Sequence, residues 1–174
     1  MPADAPAGYD IRPATRRDQD LLAEMFRGFL EEQSDWGGMF GVESGAHPEY
    51  TAMFARLLES QAGDGGVILV AETQVESAPD SGFASPVGFL MATVASRPAF
   101  FHESSRGRIE DAWVRPEHRR SGIGRALVEA AVAWARQQGA ARMILQVARR
   151  NEAGLAFWRE MGFETFMDVM ERDL

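Results

Sequence analysis

The sequence predicts a mixed α/β fold, which some schemes class as α+β, with a mostly antiparallel sheet of six or seven strands and four helices on both faces. Apolar residues at strand spacing and at helical spacing alternate along the chain in the order β-α-α-β-β-β-α-β-α-β. The strand–helix–strand unit across residues 108–147 requires a central parallel strand pair with a right-handed crossover. The other strands look antiparallel.

The first third of the chain is predicted to hold one strand and two helices. The strand spans residues 9–12, and Thr15 and Asp18 form a helix-start signature after it. A second helix begins near Pro48, a residue that suits the first turn of a helix. The apolar stripes of the two helices are Leu22, Met25, Phe26 and Phe29 in the first, and Tyr50, Met53, Phe54 and Leu57 in the second.

Three strands are predicted in the middle of the chain, over residues 67–73, 87–96 and 108–114. The stretch 74–86 is rich in Ser and Pro and longer than a tight hairpin needs, so we expect a mobile tip there. Residues 108–114 form the central strand.

The last third is predicted to alternate helix and strand. A third helix runs from Ile123 to Gln138, and a buried strand spans residues 142–147. A fourth helix covers 153–161, and one or two terminal strands cover 163–172. No repeat or internal boundary is found, so one domain is expected over 9–174, after a flexible tail at 1–8.

The composition limits the classes of protein to which the chain can belong. The chain has 174 residues, is 45% hydrophobic and carries a net charge of −8, which argues against nucleic acid as the main partner and favours a cationic one. With no cysteine, disulfides and thiol nucleophiles are excluded. No apolar run is long enough to span a bilayer and no leader is found, so no membrane partner and a cytoplasmic location are expected. The three histidines share no metal-site spacing, so no metal is predicted.

The most informative stretch combines an apolar strand, a basic loop and a glycine-opened helix. The strand ends in Ala112-Trp113-Val114, and Arg119-Arg120-Ser121-Gly122-Ile123-Gly124 follows. A helix start offers free N–H groups and a positive dipole end, and glycine lets a ligand come close to the backbone, so an anion site is predicted. A Walker loop needs a lysine, which the chain lacks, and the dinucleotide fingerprint needs a third glycine where Leu127 stands.

The loop resembles the acyl-CoA-binding motif of the GCN5-related N-acetyltransferases (GNAT), Arg/Gln-x-x-Gly-x-Gly/Ala. A second motif of that family, an Asn followed by an aromatic pair and Gly-Phe, is matched by Asn151, Phe157-Trp158 and Gly162-Phe163. The resemblance covers most of the chain. It implies the GNAT fold, acetyl-CoA as cosubstrate without a metal, and an amine as acyl acceptor.

The same resemblance implies the cofactor-binding residues. In the family the central strand splays from its parallel neighbour and offers its backbone to the pantetheine arm, with one N–H for the oxyanion. The residues so implied are Trp113 and Val114 for the arm, Arg119, Arg120, Ser121, Gly122, Ile123, Gly124 and Arg125 for the pyrophosphate cradle, and Asn151 and Trp158 beside them. Three alternatives remain open. In these, Trp113 and Val114 belong to the sheet core, Asn151 only caps its helix, and the arginines are solvated.

Glu110 is the predicted catalytic residue. Glu110 and Asp111 adjoin in a strand that should be apolar, and strand alternation points them to opposite faces. The Ile-Glu-Asp-x-x-Val run is similar to the strand of spermidine/spermine acetyltransferases, whose Glu helps remove the amine proton. Glu110 could hold an ammonium and accept its proton. In the competing interpretation, one of the two acids pairs with Arg106 or Arg108.

Trp158 departs from the family, where a tyrosine at this point protonates the leaving thiolate in many members. Packing is the favoured role for Trp158, with the coenzyme A arm as a candidate neighbour. The predicted function is acetyl transfer from acetyl-CoA to a primary amine of a small molecule or peptide, in a ternary complex with a lid at 36–41 facing residues 100–102. A non-catalytic acyl-CoA-binding or regulatory domain is the alternative, and a nucleotide-binding domain a weaker one. A homodimer is possible.

Overall fold

The computed structural model describes residues 5–34, 47–61, 65–74, 85–96, 105–170 and 172. Five strands in the order β1-β2-β3-β4-β5 form one sheet. The strands are β1 (Tyr9–Pro13), β2 (Gly66–Thr73), β3 (Pro86–Ser96), β4 (Ser105–Val114) and β5 (Met143–Ile144). The helices are α1 (Gln19–Ser34), α2 (His47–Ser60), α3 (Ile123–Gln137) and α4 (Glu152–Glu160), with short 3₁₀ turns at Arg16–Asp18 and Pro116–His118.

The predicted topology is confirmed. Strands β1 to β4 pair antiparallel in sequence order. Strand β5 joins β4 in parallel after the α3 crossover. One apolar cluster fills the face under α3 and α4, with Leu90, Ile109 and Leu127 at its centre. A second fills the opposite face under α1 and α2, with Leu22, Phe54 and Phe89. The helices therefore cover both faces, as expected.

The strand count differs from the prediction of six or seven. Residues 163–170 form no strand, although their apolar pattern predicts one. Gly162, at φ +84°, turns the chain after α4, and the N–H of Phe163 donates to the carbonyl of Trp158 (3.0 Å). The side chains that follow are exposed, including Phe166 and Met170. Local pattern gives strand propensity, but a strand also needs a neighbour with which to form hydrogen bonds.

The predicted helix start at Thr15 is confirmed as a capping box. Asp18 accepts hydrogen bonds from the backbone N–H (2.7 Å) and hydroxyl (3.0 Å) of Thr15. The guanidinium of Arg12 also donates to both Asp18 oxygens, each at 2.8 Å. Asp18 is only 2% exposed. This paired, buried carboxylate ties the end of β1 to the start of α1.

Several predictions concern residues outside the described ranges. They are most of the mobile tip (75–84), the lid at 36–41 and the loop at 100–102. Among the helices that the structure describes, none combines the length and apolarity that a bilayer span requires. The described part of the chain holds no group of three His, Asp or Glu side chains arranged for a metal ion.

Candidate active site

The end of strand β4 has an open edge. The β4 strand runs ten residues, from Ser105 to Val114, but its parallel ladder with β5 contains only two register pairs, at Gly107 and Arg108. Next to the strand end, the N–H of Arg115 donates to the Val87 carbonyl of β3 (2.8 Å). Because successive amides of a strand point to opposite edges, the amide of Val114 points away from β3. It faces the edge that β5 leaves unpaired.

Helix α3 begins beside that edge without a side-chain cap. Its N-cap is Gly122 (φ +89°, ψ −7°), which has no side chain to accept from the first-turn N–H groups. The helix's own hydrogen bonds begin with the N–H of Ala126, which donates to the Gly122 carbonyl (3.0 Å). The donors of the first turn therefore remain for a ligand, at the positive end of the helix dipole. This geometry suits a phosphate group.

The two motif glycines have separate physical reasons. Gly122 adopts a left-handed φ, and a Cβ there would lie 3.6 Å from Pro6 Cβ, in ordinary contact. At Gly124 a Cβ would lie 3.3 Å from Phe157 Cζ, which is tight. The expectation that both glycines let a ligand come close to the backbone stays a prediction, and the contacts add a structural reason for each glycine. Gly122 is required by backbone conformation, and Gly124 by the close approach of α4 to α3.

The loop before α3 has an unusual backbone. Arg120 has a φ of 63° and is the described residue other than glycine with a positive φ. The hydroxyl of Ser121 donates to the His118 carbonyl (2.6 Å), which closes the turn, and Tyr9 Oη lies 3.1 Å from His118 Nδ1. Left-handed residues close together turn successive N–H groups into a concave surface that suits anions, and such strain concentrates at ligand sites.

Most of the arginines around the loop are paired with carboxylates. Arg115 binds Glu24 (3.0 Å) and Arg119 binds Glu32 (2.6 Å), both on α1. A third arginine, Arg125, binds Glu160 of α4. In the part of the chain that the structure describes, Arg120 has no ion pair. The positive charge around the loop is therefore largely matched by carboxylates, and the main-chain amides are the groups best suited to an anion.

A β-bulge redirects the two acids of β4. The register pairs Met91 with Asp111 and then Ala92 with Ile109, so Glu110 is an extra residue without a partner on β3. Two consecutive side chains at such a bulge lie on the same side of the sheet. Asp111 lies opposite Met91, which packs against the α1–α2 cluster. The expectation that the acids point to opposite faces is therefore wrong, because it assumed unbroken alternation.

The contacts of Glu110 confirm its face. Its Oε1 accepts from the Thr93 hydroxyl (2.8 Å), and its Oε2 lies 2.9 Å from Arg108 Nε. Thr93 lies two residues from Met91 on β3 and opposite Arg108 in register, so all three share the α1–α2 face. The competing interpretation, in which one acid pairs with Arg108, thus holds for Glu110.

Asp111 lies in a less polar environment than Glu110. Burial, and to a smaller extent the neighbouring Glu110 charge, raise the pKa of Asp111 to about 6, although Arg108 partly opposes both. A carboxyl with this pKa changes charge close to neutral pH, where acid–base chemistry is useful. Glu110 was favoured over Asp111 from sequence, because the bulge that brings the two together has no local signature.

Two buried aromatic donors on the same face of the sheet as these acids lack a hydrogen-bond partner in the described part of the chain. They are the indole Nε1–H of Trp113 and the hydroxyl of Tyr50. Both side chains pack against the α1–α2 cluster. Buried polar atoms without partners are uncommon. Their presence on the face of Glu110 and Asp111 is consistent with a polar ligand there.

The second motif lies in α4. Asn151 caps that helix, because its Oδ1 accepts from the N–H of Gly154 (2.7 Å). This leaves its Nδ2 as the atom that could reach a cofactor. Trp158 packs edge-on against Phe157 (4.9 Å between centroids) and Phe163 (5.5 Å). The side chain of Ile123 is buried in the same α3–α4 cluster. Packing thus accounts for much of this motif.

Comparisons with known proteins agree with this architecture. The sequence pattern of the Acetyltransferase (GNAT) family matches residues 26–163. Streptothricin acetyltransferase from Streptomyces lavendulae is 42% identical over 60 residues, which are 34% of this chain and 32% of that protein. The matched stretch is therefore about a third of that relative's length.

Solved structures share the fold. A tetramutant of the BH1408 protein from Bacillus halodurans has a TM-score of 0.75 at 22% identity, over 95% of this chain and 99% of that one. Aminoglycoside 6'-N-acetyltransferase AAC(6')-IG from Acinetobacter haemolyticus has a TM-score of 0.68 at 20% identity, over 95% and 97%. Together with the family match, these similarities lead to one conclusion: the chain belongs to the GNAT family of acetyltransferases.

Proposed function

We propose that this protein transfers the acetyl group of acetyl-CoA to a primary amine of a small molecule or peptide, by direct attack in a ternary complex. The observation that carries the proposal is the uncapped start of α3 beside the open edge of β4, with two carboxylates further along the same strand. An anion site, an unpaired amide and a proton acceptor are the parts that such a transfer needs.

On the cosubstrate side, we assign the pyrophosphate to the main-chain amides between Arg119 and Arg125. The fit rests on the uncapped helix start and on Arg120, which has no ion pair in the described part of the chain. The amide of Val114 then suits the thioester oxygen, because it points to the unpaired edge. A preorganised donor at a position of developing negative charge lowers the barrier.

On the acceptor side, we assign the amine to the α1–α2 face. An alkylamine has a pKa of about 10.4 and arrives mostly protonated, so a carboxylate can first hold it and then accept its proton. Glu110 remains the predicted catalytic residue, directly or through water. Asp111 on the same face is a second candidate, favoured by its raised pKa.

The reaction balances without a covalent relay. A carboxylate takes the first proton of the ammonium and leaves a free amine. The amine nitrogen then forms a bond to the acetyl carbon, the carbon–sulfur bond breaks, and the second nitrogen proton passes to water. The sulfur leaves as a thiolate with a pKa of about 8.5, so water can protonate it. The indole of Trp158 is too weak an acid for this task, and its packing between Phe157 and Phe163 supports a structural role.

The acceptor class is proposed as a cationic small molecule. The net charge of −8 and the two acids on the acceptor face favour a positive ligand. Streptothricin acetyltransferase, a relative that matches about a third of this chain, is named for a small-molecule substrate. Cytoplasmic location and a homodimer remain predictions.

The test is thiol release from acetyl-CoA with a panel of polyamines, amino acids and aminoglycosides. We expect amine-dependent release that Glu110→Gln lowers about 10- to 100-fold near pH 7 with CoA affinity unchanged, as general base catalysis is typically worth about 10²–10⁴. The matched control is Glu129→Gln, an exposed acid on α3. Equal activity of Glu110→Gln and wild type would remove Glu110 from the mechanism and leave Asp111 as the candidate.

A second candidate function is a non-catalytic acyl-CoA-binding or regulatory domain. The observation that favours it is Trp158 in place of the proton-donating tyrosine expected from the family resemblance. CoA binding by calorimetry with no thiol release across the whole panel would support this candidate. Amine-dependent turnover would exclude it.

A further inference from the structure

One stripe of helix α1 contacts the end of β4 and the loop before α3. The stripe consists of Glu24, Gly28 and Glu32, which are four residues apart and so lie on one face of the helix. Glu24 pairs with Arg115 (3.0 Å), and Glu32 accepts from Arg119 through both carboxylate oxygens (2.6 and 2.9 Å). We name these three residues the α1 stripe.

The middle of the α1 stripe is a close contact with Trp113. A Cβ at Gly28 would lie 3.1 Å from Trp113 Cζ2 and 3.2 Å from Cη2, so the helix comes close to the ring because residue 28 has no side chain. The guanidinium carbon of Arg119 lies 5.8 Å from the centroid of the same ring. Trp113 is thus in contact with both α1 and Arg119.

Arg119 makes a further bond at the open edge of β4. Its Nε donates to the carbonyl of Val114 (2.8 Å), while its NH2 group binds Glu32. A residue's N–H and C=O point to the same edge of an antiparallel strand. The bond therefore fixes the strand edge from which the Val114 amide projects. One guanidinium connects helix α1 to the amide assigned to the thioester oxygen.

We propose that Arg119 and Glu32 are positioning residues, which hold the Val114 amide in place for acyl transfer and do not bind the phosphates. The proposal rests on the acyl transfer proposed above. The charge of Arg119 is matched by a carboxylate, and its Nε and NH2 are committed to protein acceptors. Removal of the Arg119–Glu32 pair should therefore lower the rate of the catalytic step more than the affinity for the cosubstrate.

The same contacts give Glu32 a role toward the acceptor face. The stripe belongs to a helix that packs on the same face of the sheet as Glu110 and Asp111, and Glu32 lies in its last turn. A change in the position of α1 is transmitted to Val114 through the Glu32–Arg119–Val114 chain of bonds. Occupation of the acceptor face and the geometry of the amide are then coupled by ordinary hydrogen bonds.

The experiment compares Glu32→Gln, Arg119→Lys and the double variant with wild type. Lysine keeps the charge of Arg119 but cannot bind a carbonyl and a carboxylate through one planar fork. The matched control is Glu31→Gln, because Glu31 is the adjacent acid and pairs with Arg27 within α1. Calorimetry gives the Kd for CoA, steady-state kinetics give kcat and KM separately, and thermal melting reports folding.

We expect Arg119→Lys to lower kcat at least about tenfold, since small misplacement of a catalytic group can cost up to about 10². Glu32→Gln should lower kcat about two- to fivefold, as expected for a half-exposed pair. Both should leave the Kd for CoA within about twofold of the Glu31→Gln control, since phosphate binding is assigned to the backbone. The double variant should match Arg119→Lys, because the two act through one chain of bonds.

The outcomes separate this inference from the proposed function. If wild type binds no CoA or releases no thiol, the proposed function fails. If wild type turns over and Arg119→Lys weakens CoA binding tenfold at unchanged kcat, Arg119 is a phosphate ligand and the inference is overturned. Variants that all equal Glu31→Gln in kcat would overturn it too. A melting temperature lowered in parallel with kcat would reduce the pair to a structural role.

Discussion

Replacement of Asp111 by Asn should stabilise the protein at pH 8 and leave it almost unchanged at pH 4. In the folded protein the pKa of Asp111 is raised from 3.8 to about 6 by burial and by the charge of Glu110. The folded state therefore binds the proton more tightly than the unfolded state. Its stability is highest while Asp111 is protonated, falls as the pH rises from 3.8 to 6, and stays lower above that.

The magnitude follows from the two pKa values. They differ by about two, and a tenfold change in proton affinity is worth about 1.4 kcal/mol, so ionised Asp111 costs at most about 3 kcal/mol. Water access to a half-buried carboxyl lowers this to about 1–2 kcal/mol. For a chain of this length, that corresponds to a rise in Tm of about 2–8 °C.

The assay is thermal melting of wild type and Asp111→Asn at half-unit intervals from pH 4 to 8. The control is Asp10→Asn, which removes an exposed carboxylate from another strand. The difference in Tm between Asp111→Asn and wild type should grow through the range 4 to 6, whereas the control should show no such rise. A difference that is constant with pH, or negative at pH 8, would refute the raised pKa and with it the case for Asp111 as a proton acceptor.

Three further substitutions test the loop and the β1–α1 junction. Gly122→Ala should lower stability by about 1 kcal/mol and weaken CoA binding, because φ +89° is unfavourable for a residue with a Cβ; unchanged melting and affinity would contradict this explanation. Arg120→Gly should leave unfolding free energy unchanged or slightly higher, since glycine relieves the strain of φ 63°, while CoA affinity at low salt falls a few-fold; a loss of 1 kcal/mol in denaturant melts would argue against strain. Asp18→Asn should cost about 2 kcal/mol at pH 7, because it removes the buried carboxylate that pairs with Arg12, while Arg12 keeps its pair with Glu72. Burial alone raises the pKa of Asp18, but the hydrogen bonds from Arg12 and Thr15 outweigh it and lower the pKa below 3.8. The stabilisation is therefore present above pH 3.8 and lost as the pH falls through the folded pKa, so acid melts in which the gap between wild type and variant fails to close would be inconsistent with this pairing.

Local sequence patterns were enough to predict most of the fold. Helical spacing, the capping box at Thr15 and the crossover that requires parallel strands are properties of short stretches, and the structure contains each of them. The uncapped start of α3 could likewise be anticipated, because glycine at the N-cap position cannot supply a side-chain acceptor.

The features that sequence could not provide depend on distant partners. The bulge at Glu110 is a register relation between β3 and β4, and nothing in the run Ile109-Glu110-Asp111 signals it. The pairs Glu24–Arg115 and Glu32–Arg119 join residues 91 and 87 positions apart. Glu24 and Glu32 each lie four residues from Gly28 in the sequence of α1, but only the fold shows which arginines these two acids contact.

The prediction of terminal strands failed for the same physical reason. Residues 163–170 have the alternation of a strand, and propensity alone cannot supply hydrogen-bond partners. Strand β5 is likewise shorter than the predicted 142–147, with two residues, Met143 and Ile144. That shortness matters for function, because it leaves the β4 edge near Val114 unpaired.

Amide hydrogen exchange with and without CoA shows directly whether the main-chain amides at the start of α3 and at Val114 bind the cosubstrate. We expect that saturating CoA slows exchange of the amides from Ser121 to Arg125 and of Val114, while exchange of the amides of β1 and β2 is unchanged. Binding of CoA that protects amides elsewhere, with no slowing between Ser121 and Arg125, would contradict it.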